Sequence, residues 1–365
     1  MREDSYNIAI LGKSGVGKSS FLNYLFDENI SDVGVGSPVT KVGFHQFEKK
    51  VNGLNLRIFD SWGLELDKVE KWEKELLDEL KQRSLDKHPS KWFHSIFYCV
   101  SATSARIESF DIKLINTFLK DNYKVVIIFT KSDSLSQNDF ETFQKILNDN
   151  LIKQVASVKV CSEAKTLLNG RNIEKFGREE VLNEIINGFW NSIITRIPAK
   201  TILLMKKRTA CWVIKEQQFL QKSWIYDRKP YSKNLEDSLN RLVDDLEKMD
   251  DFFIVLSEAI NTYSDIIEGL RVPPNLPNQK YLKIFKENSS SFFEENYLNL
   301  KQIFSTTFTF HPILALLILI VYKYSTRGNL KENLNDLENK LNSEIEQLFP
   351  KLEEFIISLK KNHNQ

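Results

Sequence analysis

Cysteine and histidine are scarce in this sequence of 365 residues. Its three cysteines, Cys99, Cys161 and Cys211, have no CxxC spacing, and its five histidines form no pattern of metal ligands. This argues against a zinc site and a disulfide framework, and it fits a reducing compartment. The opening residues, MREDSYN, lack the apolar core of a secretory signal. We therefore expect a cytoplasmic protein.

Neither sign of charge dominates the chain. Its 50 Lys and Arg residues face 49 Asp and Glu residues, so the formal net charge is +1. Such a chain has no global field that would recruit nucleic acid, and we do not expect nucleic acid as a main partner. The 42% of hydrophobic residues are typical of a globular protein, and the length allows two domains.

The two halves of the chain differ in their hydrophobic pattern. The first half alternates apolar, strand-like runs with helix-like segments, which predicts a parallel sheet covered by helices on both faces. Asn52-Gly53 separates two strand-like runs, which predicts a hairpin and therefore one antiparallel edge. After about Pro198 only helical patterns follow. We predict an α/β domain over residues 1–197 and an all-helical domain over residues 198–365.

A glycine-rich stretch lies between the first strand and the first helix. It reads GKSGVGKSS, and Gly12, Gly17, Lys18 and Ser19 match the pattern GxxxxGK[ST]. In that pattern glycines let successive backbone N–H groups point at a phosphate, the Lys reaches the β and γ phosphates, and the Ser hydroxyl binds Mg²⁺. The residues predicted to bind the nucleotide here are Lys13, Ser14, Gly15, Val16, Gly17, Lys18, Ser19 and Ser20.

Two later motifs supply candidates for the γ-phosphate and the metal. Thr40, in the polar loop GSPVT, can place its hydroxyl on Mg²⁺ and its N–H on the γ-phosphate. Asp60 and Gly63 form a DxxG at a strand end, where Asp60 can hold a magnesium-bound water and Gly63 a γ-phosphate oxygen. The predicted metal ligands are thus Ser19, Thr40 and Asp60, and the predicted catalytic residues are Lys18, Thr40 and Gly63.

Residues at two further strand ends are candidates for binding the base of the nucleotide. Asp133, in the motif Thr130-Lys131-Ser132-Asp133, can accept hydrogen bonds from N1–H and the amine of guanine. Adenine would leave this carboxylate unpaired, which costs several kcal/mol. Lys131 can lay its alkyl stem along the base, and the backbone at Ser162 and Glu163 can meet the guanine O6. The predicted ligands are therefore GTP or GDP with Mg²⁺.

These motifs resemble those of the translation-factor-related class of P-loop GTPases over roughly residues 6–197. The closest similarity is to Era- and septin-like GTPases and to immunity-related, dynamin-like ones. The resemblance implies a six-stranded sheet with five helices, and GTP hydrolysis coupled to a conformational switch. Two positions depart from it. Thr130 replaces an asparagine and is expected to lose a bond to the P loop, and Leu64 replaces the glutamine that orients water in Ras-like members.

Hydrolysis is therefore expected to be slow unless a partner or dimerisation through the GTPase domain stimulates it. Relatives that are activated by potassium carry an asparagine at the place of Gly15, so that route is not expected.

The second half leaves several interpretations. Residues 302–322 carry no Lys, Arg, Asp or Glu, so they predict either a buried core helix or contact with a membrane. The basic stretch at residues 196–229 fits a solvated helix face, anionic headgroups or RNA. An apolar stripe with an eleven-residue period over residues 330–359 fits packing on neighbouring helices or a coiled coil between copies. The main functional prediction is a GTPase switch with a helical effector domain. The alternatives are a membrane-remodelling GTPase and an RNA- or ribosome-associated one.

Overall fold

A computed structural model of the chain describes residues 5–27, 44–51, 54–61, 69–104, 107–166, 172–222, 228–247, 251–252, 254–256, 258–259, 262 and 327–362. Several predictions fall outside these residues. They concern the turn at Asn52-Gly53, the candidate site residues Thr40 and Gly63, Leu64, and the apolar stretch at residues 302–322.

The described residues up to Arg196 belong to one compact unit in which strands and helices alternate. Its strands are β1 (Tyr6–Leu11), β2 (Phe44–Val51), β3 (Leu54–Ser61), β4 (Ser95–Ser101), β5 (Val125–Thr130), β6 (Ala156–Lys159), β7 (Lys165–Thr166) and β8 (Asn172–Ile173). Its helices are α1 (Lys18–Phe26), α2 (Val69–Gln82), α3 (Ser109–Lys120), α4 (Gln137–Asn150) and α5 (Arg178–Asn191), with a π-helical turn at Ser192–Arg196.

The main sheet has six strands in the order β2-β3-β1-β4-β5-β6. Strands β3, β1, β4, β5 and β6 are parallel to one another, and β2 pairs antiparallel with β3. This confirms the predicted mostly parallel sheet with one antiparallel edge. Strands β2 and β3 lie on one side of β1, and β4 to β6 lie on the other. The carboxyl end of β1 therefore lies at a topological switch point, where open α/β sheets bind ligands.

Helices cover both faces of this sheet. One face shares a core with α2, α3 and α4, and its buried residues include Tyr98, Phe129, Leu76, Phe118 and Phe143. On the other face, the rings of Phe21 in α1 and Phe97 in β4 lie 6.5 Å apart. There α5 approaches closely at Gly188, where a Cβ atom would lie 1.9 Å from Tyr6 Oη. Only glycine permits this packing distance.

A second compact unit begins at Ile197 and is helical in its described residues. It contains α6 (Ile197–Lys222), α7 (Arg228–Glu247) and α8 (Arg327–Asn362). The boundary between residues 197 and 198 stays a prediction for the chain as a whole. Within the described part of the chain, no helix is long and apolar enough to cross a membrane.

The apolar stripe of α8 is buried within the chain, as the first of its two interpretations predicts. Its described members are at most 9% exposed: Leu334, Leu337, Leu341, Ile345, Leu348, Leu352 and Ile356. Polar contacts flank the stripe on α6, where Gln217 Nε2 donates to Asn335 Oδ1 at 2.8 Å and Lys206 pairs with Glu346. The eleven-residue period thus marks the face that α8 packs inward.

The interpretation of residues 196–229 as a solvated basic face is wrong for part of that stretch. Arg196 is fully buried, and Lys200 is 5% exposed with its Nζ atom 3.1 Å from Glu258 Oε2. Arg208 forms a two-pronged pair with Asp251 at 2.6 and 2.9 Å. The acidic partners lie far away in sequence, so the local composition of the stretch could not reveal them.

Candidate nucleotide-binding site

The P loop, residues 12–17, follows β1 directly and ends where α1 begins. Gly12 has a φ of +142°, and a Cβ atom there would lie 2.4 Å from the backbone oxygen of Cys99 in β4. A side chain at this position would therefore collide with the neighbouring strand. Lys18, the first residue of α1, is buried, and its Nζ atom donates to the backbone oxygens of Gly12 and Lys13, both at 3.0 Å. The loop wraps around this ammonium group.

The side chain of Lys13 points away from the loop, towards α3. Its Nζ atom lies 3.0 Å from Glu108 Oε2 and 3.1 Å from Asp111 Oδ2. Burial lowers the pKa of Lys13, but these two acidic partners outweigh burial and raise it overall. Tyr98 Oη donates to the other oxygen of Asp111 at 2.6 Å. A nucleotide contact by Lys13 would therefore come from its backbone, while its side chain ties the P loop to α3.

The end of β5 is bonded directly to the P loop. The hydroxyl of Thr130, which is 1% exposed, lies within hydrogen-bonding distance of the backbone oxygens of Val16 and Val100 and can donate to either. Lys131 has a left-handed backbone with a φ of 54°, and its Nζ atom donates to Gly15 O at 2.8 Å. The expectation that Thr130 loses a bond to the P loop is wrong, because its hydroxyl makes one.

The two oxygens of Asp133 have different surroundings. Oδ2 lies 3.2 Å from Lys165 Nζ. Oδ1 is buried and has no hydrogen-bond partner among the residues that the structure describes. A buried acceptor without a partner is costly, and it points to a donor supplied from outside the chain. Asp133 therefore fits a ligand that offers hydrogen-bond donors.

The predicted base-binding residues line one pocket. Ser20 Oγ donates to Glu163 Oε1 at 3.1 Å, which closes the pocket between α1 and the loop after β6. The lining residues are Gly17, Ser20, Thr130, Lys131, Asp133, Cys161, Ser162, Glu163 and Lys165. Three segments that are far apart in sequence thus meet at the carboxyl edge of the sheet. Sequence analysis did not single out Lys165 as a site residue, although it directly follows the Ser162-Glu163-Ala164 segment.

Asp60 lies at the carboxyl end of β3, and its environment suits a cation. Its Oδ1 atom is buried without a hydrogen-bond partner in the described residues. Burial raises the pKa of Asp60 to about 6, and the charge of Lys18 opposes that rise. Burial likewise lowers the pKa of Lys18. Ser19 is exposed at the start of α1. The described residues hold no cluster of three acidic, His or Cys ligands, which a Mg²⁺ bound largely by phosphates does not need.

The strand order, the P loop at the switch point and the Thr130-to-Asp133 motif bonded to it define a P-loop GTPase domain. Comparison with known families agrees, since residues 2–174, just under half of the chain, match the septin family model. This part of the chain is therefore similar to the septin family.

Individual relatives are distant. Human Septin-14 is 25% identical over 166 residues, which are 40% of this chain and 38% of that protein. Cell division control protein 10 of Candida albicans is 26% identical over 170 residues, 40% of this chain and 47% of that protein. The chain thus spans less than half the length of either relative. Among solved structures, Toc33 from Arabidopsis thaliana with Mg²⁺ and GMPPNP is 19% identical with a TM-score of 0.36, and the match covers 51% of this chain and 85% of that one.

Proposed function

We propose that this chain binds GTP and GDP with Mg²⁺ and hydrolyses GTP to GDP. The observation that carries the proposal is the bonding of Thr130 and Lys131 to the P-loop carbonyls of Val16 and Gly15. A phosphate-binding loop and a base-reading motif are thereby held on two sides of one pocket. A nucleotide is the ligand that presents a base and a phosphate chain to such a pair.

Guanine fits the base end of the pocket better than adenine. Asp133 accepts from N1–H and from the exocyclic amine, and its buried Oδ1 atom lacks a donor from the described chain. Adenine has a lone pair at N1, so it would leave that oxygen unpaired. The backbone of Ser162 and Glu163 would then face the guanine O6.

The phosphate end fits Mg²⁺. Ser19 and Asp60 would hold the ion, together with Thr40 as the predicted third ligand. When bound, Mg²⁺ neutralises charge that develops on the phosphate oxygens. Lys18 would contribute a second cation to the β and γ phosphates, and Gly63 a backbone N–H to the γ-phosphate.

The rate of hydrolysis would depend on a partner. Leu64 cannot orient the attacking water, so a residue from outside the site has to do so. A second copy of the chain, docked through the GTPase domain, would be one source. The nucleotide state would then be passed to the helical unit as its effector. Turnover per protomer that rises with protein concentration would support this regulation, and a fast, concentration-independent rate would contradict it.

The test of nucleotide binding is calorimetry with GDP and ADP in the presence of Mg²⁺. We expect heat with GDP only. Asp133→Asn should weaken GDP binding at least about 100-fold and favour the xanthine nucleotide, because an amide presents one acceptor and one donor where the carboxylate presents two acceptors. Asp149→Asn, the same change on the exposed face of α4, is the matched control and should bind GDP normally. Unchanged GDP affinity in Asp133→Asn would remove the assignment of the base.

A further inference from the structure

Lys165 is held beside Asp133 by a short pair of strands. In this pair, Lys165 of β7 lies opposite Ile173 of β8. Thr166 Oγ1 donates to Asn172 Oδ1 at 2.8 Å within the pair. The position of the Lys165 backbone is therefore set by local structure that does not involve Asp133.

A backbone bridge closes the same segment at its base. Cys161 and Phe176 exchange two backbone hydrogen bonds, both 3.1 Å long. From this segment the Lys165 side chain reaches Asp133 Oδ2 at 3.2 Å. The contact thus joins a residue fixed after β6 to the carboxylate that follows β5.

The contact matters because guanine uses two acceptors. Its Watson–Crick edge presents N1–H and the exocyclic amine side by side, and a carboxylate meets them with one oxygen each. In Asp133 only Oδ1 is without a partner among the described residues, while Oδ2 is already paired with Lys165. Hypoxanthine lacks the exocyclic amine, so it needs only one of these oxygens.

We propose that Lys165, which already donates to Asp133 Oδ2, weakens the bond that this oxygen would accept from the guanine amine and thereby weakens guanine binding while leaving hypoxanthine binding nearly unchanged. This inference rests on the proposed function of the pocket. It makes Lys165 a specificity-determining residue that lowers the preference for guanine over hypoxanthine.

The size of the effect follows from the exposure of the pair. The Lys165 side chain is 46% exposed and that of Asp133 is 13% exposed, so solvent screens the attraction and the pair is weak to moderate. Lys165→Met should tighten GDP binding by about three- to tenfold. It should change the affinity for IDP, the hypoxanthine nucleotide, by less than about twofold. The ratio of GDP to IDP affinity should therefore rise.

The experiment is calorimetry of the full chain with GDP and with IDP, both with Mg²⁺. Lys165→Arg keeps the cation and should behave like the parent protein. Lys153→Met, which removes an exposed lysine bonded to Asn122 at 3.0 Å, is the control for loss of one positive charge. A thermal melt of each variant establishes that it is folded.

Equal or weaker GDP binding by folded Lys165→Met would overturn the inference, as would an unchanged ratio of GDP to IDP affinity. A ratio that rises equally in Lys165→Arg would also overturn it, because the cation would then be irrelevant. If the parent protein binds neither nucleotide, the proposed function itself fails, so the two failures are distinguishable.

Discussion

Replacing Thr130 with valine would test whether the bond between β5 and the P loop holds the site together. The change removes one hydroxyl and keeps the side-chain volume nearly constant. Thr130 is 1% exposed, so water cannot take the place of the lost donor. Its hydroxyl reaches both Val16 O and Val100 O, and the first of these belongs to the P loop.

The expected cost has two parts. A neutral hydrogen bond contributes about 0.5–1.5 kcal/mol net, and a buried carbonyl left without its donor adds to the loss. We therefore expect Thr130→Val to lower the free energy of unfolding by about 1–2 kcal/mol. A loosened Val16 also misplaces a backbone N–H that is predicted to bind phosphate, so GDP affinity should fall about five- to tenfold.

Urea denaturation and calorimetry with GDP and Mg²⁺ measure the two effects. Thr130→Ser keeps the hydroxyl and should retain most of the GDP affinity. Thr142→Val removes a comparable hydroxyl, which donates to Asn138 O at 2.8 Å on an exposed face of α4, and should change stability by no more than about 0.5 kcal/mol. If Thr130→Val matched that control in stability and bound GDP like the parent, the bond to the P loop would carry no weight in either property.

Two further predictions concern buried groups away from the pocket. Burial lowers the pKa of His94 to about 3. Between about pH 6.5 and 3 the imidazole is therefore protonated in the unfolded chain but neutral in the folded chain, and stability falls as the pH drops through this range. Urea titrations between pH 7 and 5 measure how the free energy of unfolding depends on pH. In His94→Asn it should fall less steeply with decreasing pH than in the parent protein, by up to roughly 1.4 kcal/mol per pH unit. Asp60, whose pKa is raised to about 6, makes stability rise as the pH falls, and it does so equally in the parent protein and in His94→Asn. An equal pH dependence of stability in the two proteins would therefore contradict the prediction for His94. The guanidinium of Arg196 lies 4.8 Å from the ring centroid of Trp92 and 4.2 Å from that of Tyr123; Arg196→Ala should cost about 3 kcal/mol or more in urea denaturation, and a loss below about 1 kcal/mol would refute this.

The fold of the first unit could be predicted because its signals are local. Each central strand is an apolar run, and burial on both faces follows from that composition alone. At Gly12 of the P loop, glycine is required because a Cβ atom would collide with the neighbouring strand. Each of these signals is contained in a few consecutive residues, so it is visible in the sequence, although the atom that Gly12 avoids belongs to Cys99 in β4.

The contacts that shape the candidate site could not be predicted in the same way. The bond from Lys13 to Asp111 joins residues 98 positions apart, and that from Lys165 to Asp133 joins residues 32 positions apart. No sequence pattern relates the residues of either pair, because only the folded backbone brings their charges together. The sequence therefore placed Lys13 in the predicted nucleotide-binding loop without indicating that its side chain pairs with Glu108 and Asp111.

Thr130 shows a different limit of sequence reasoning. Compared with asparagine, threonine has a shorter side chain and one donor, so the substitution predicted a missing bond to the P loop. The hydroxyl nevertheless reaches Val16 O directly. Whether a shorter side chain loses a contact depends on how closely the two backbones approach, and that distance is a property of the packed sheet.

The charge pairs of α6 bear on the alternative functions. Exposed cations of a basic helix bind headgroups or RNA phosphates and displace counterions that the phosphates hold, and the effect scales with the number of cations that face the phosphates. In α6, Lys200, Lys206 and Arg208 already face acidic partners. Binding a phosphate surface through these three side chains would first require breaking their ion pairs, which lowers the gain. Among the side chains of α6 that the structure describes, Lys207 and Lys215 are exposed as well, so the described part of this helix supports a membrane or RNA role less than the basic composition of residues 196–229 suggests.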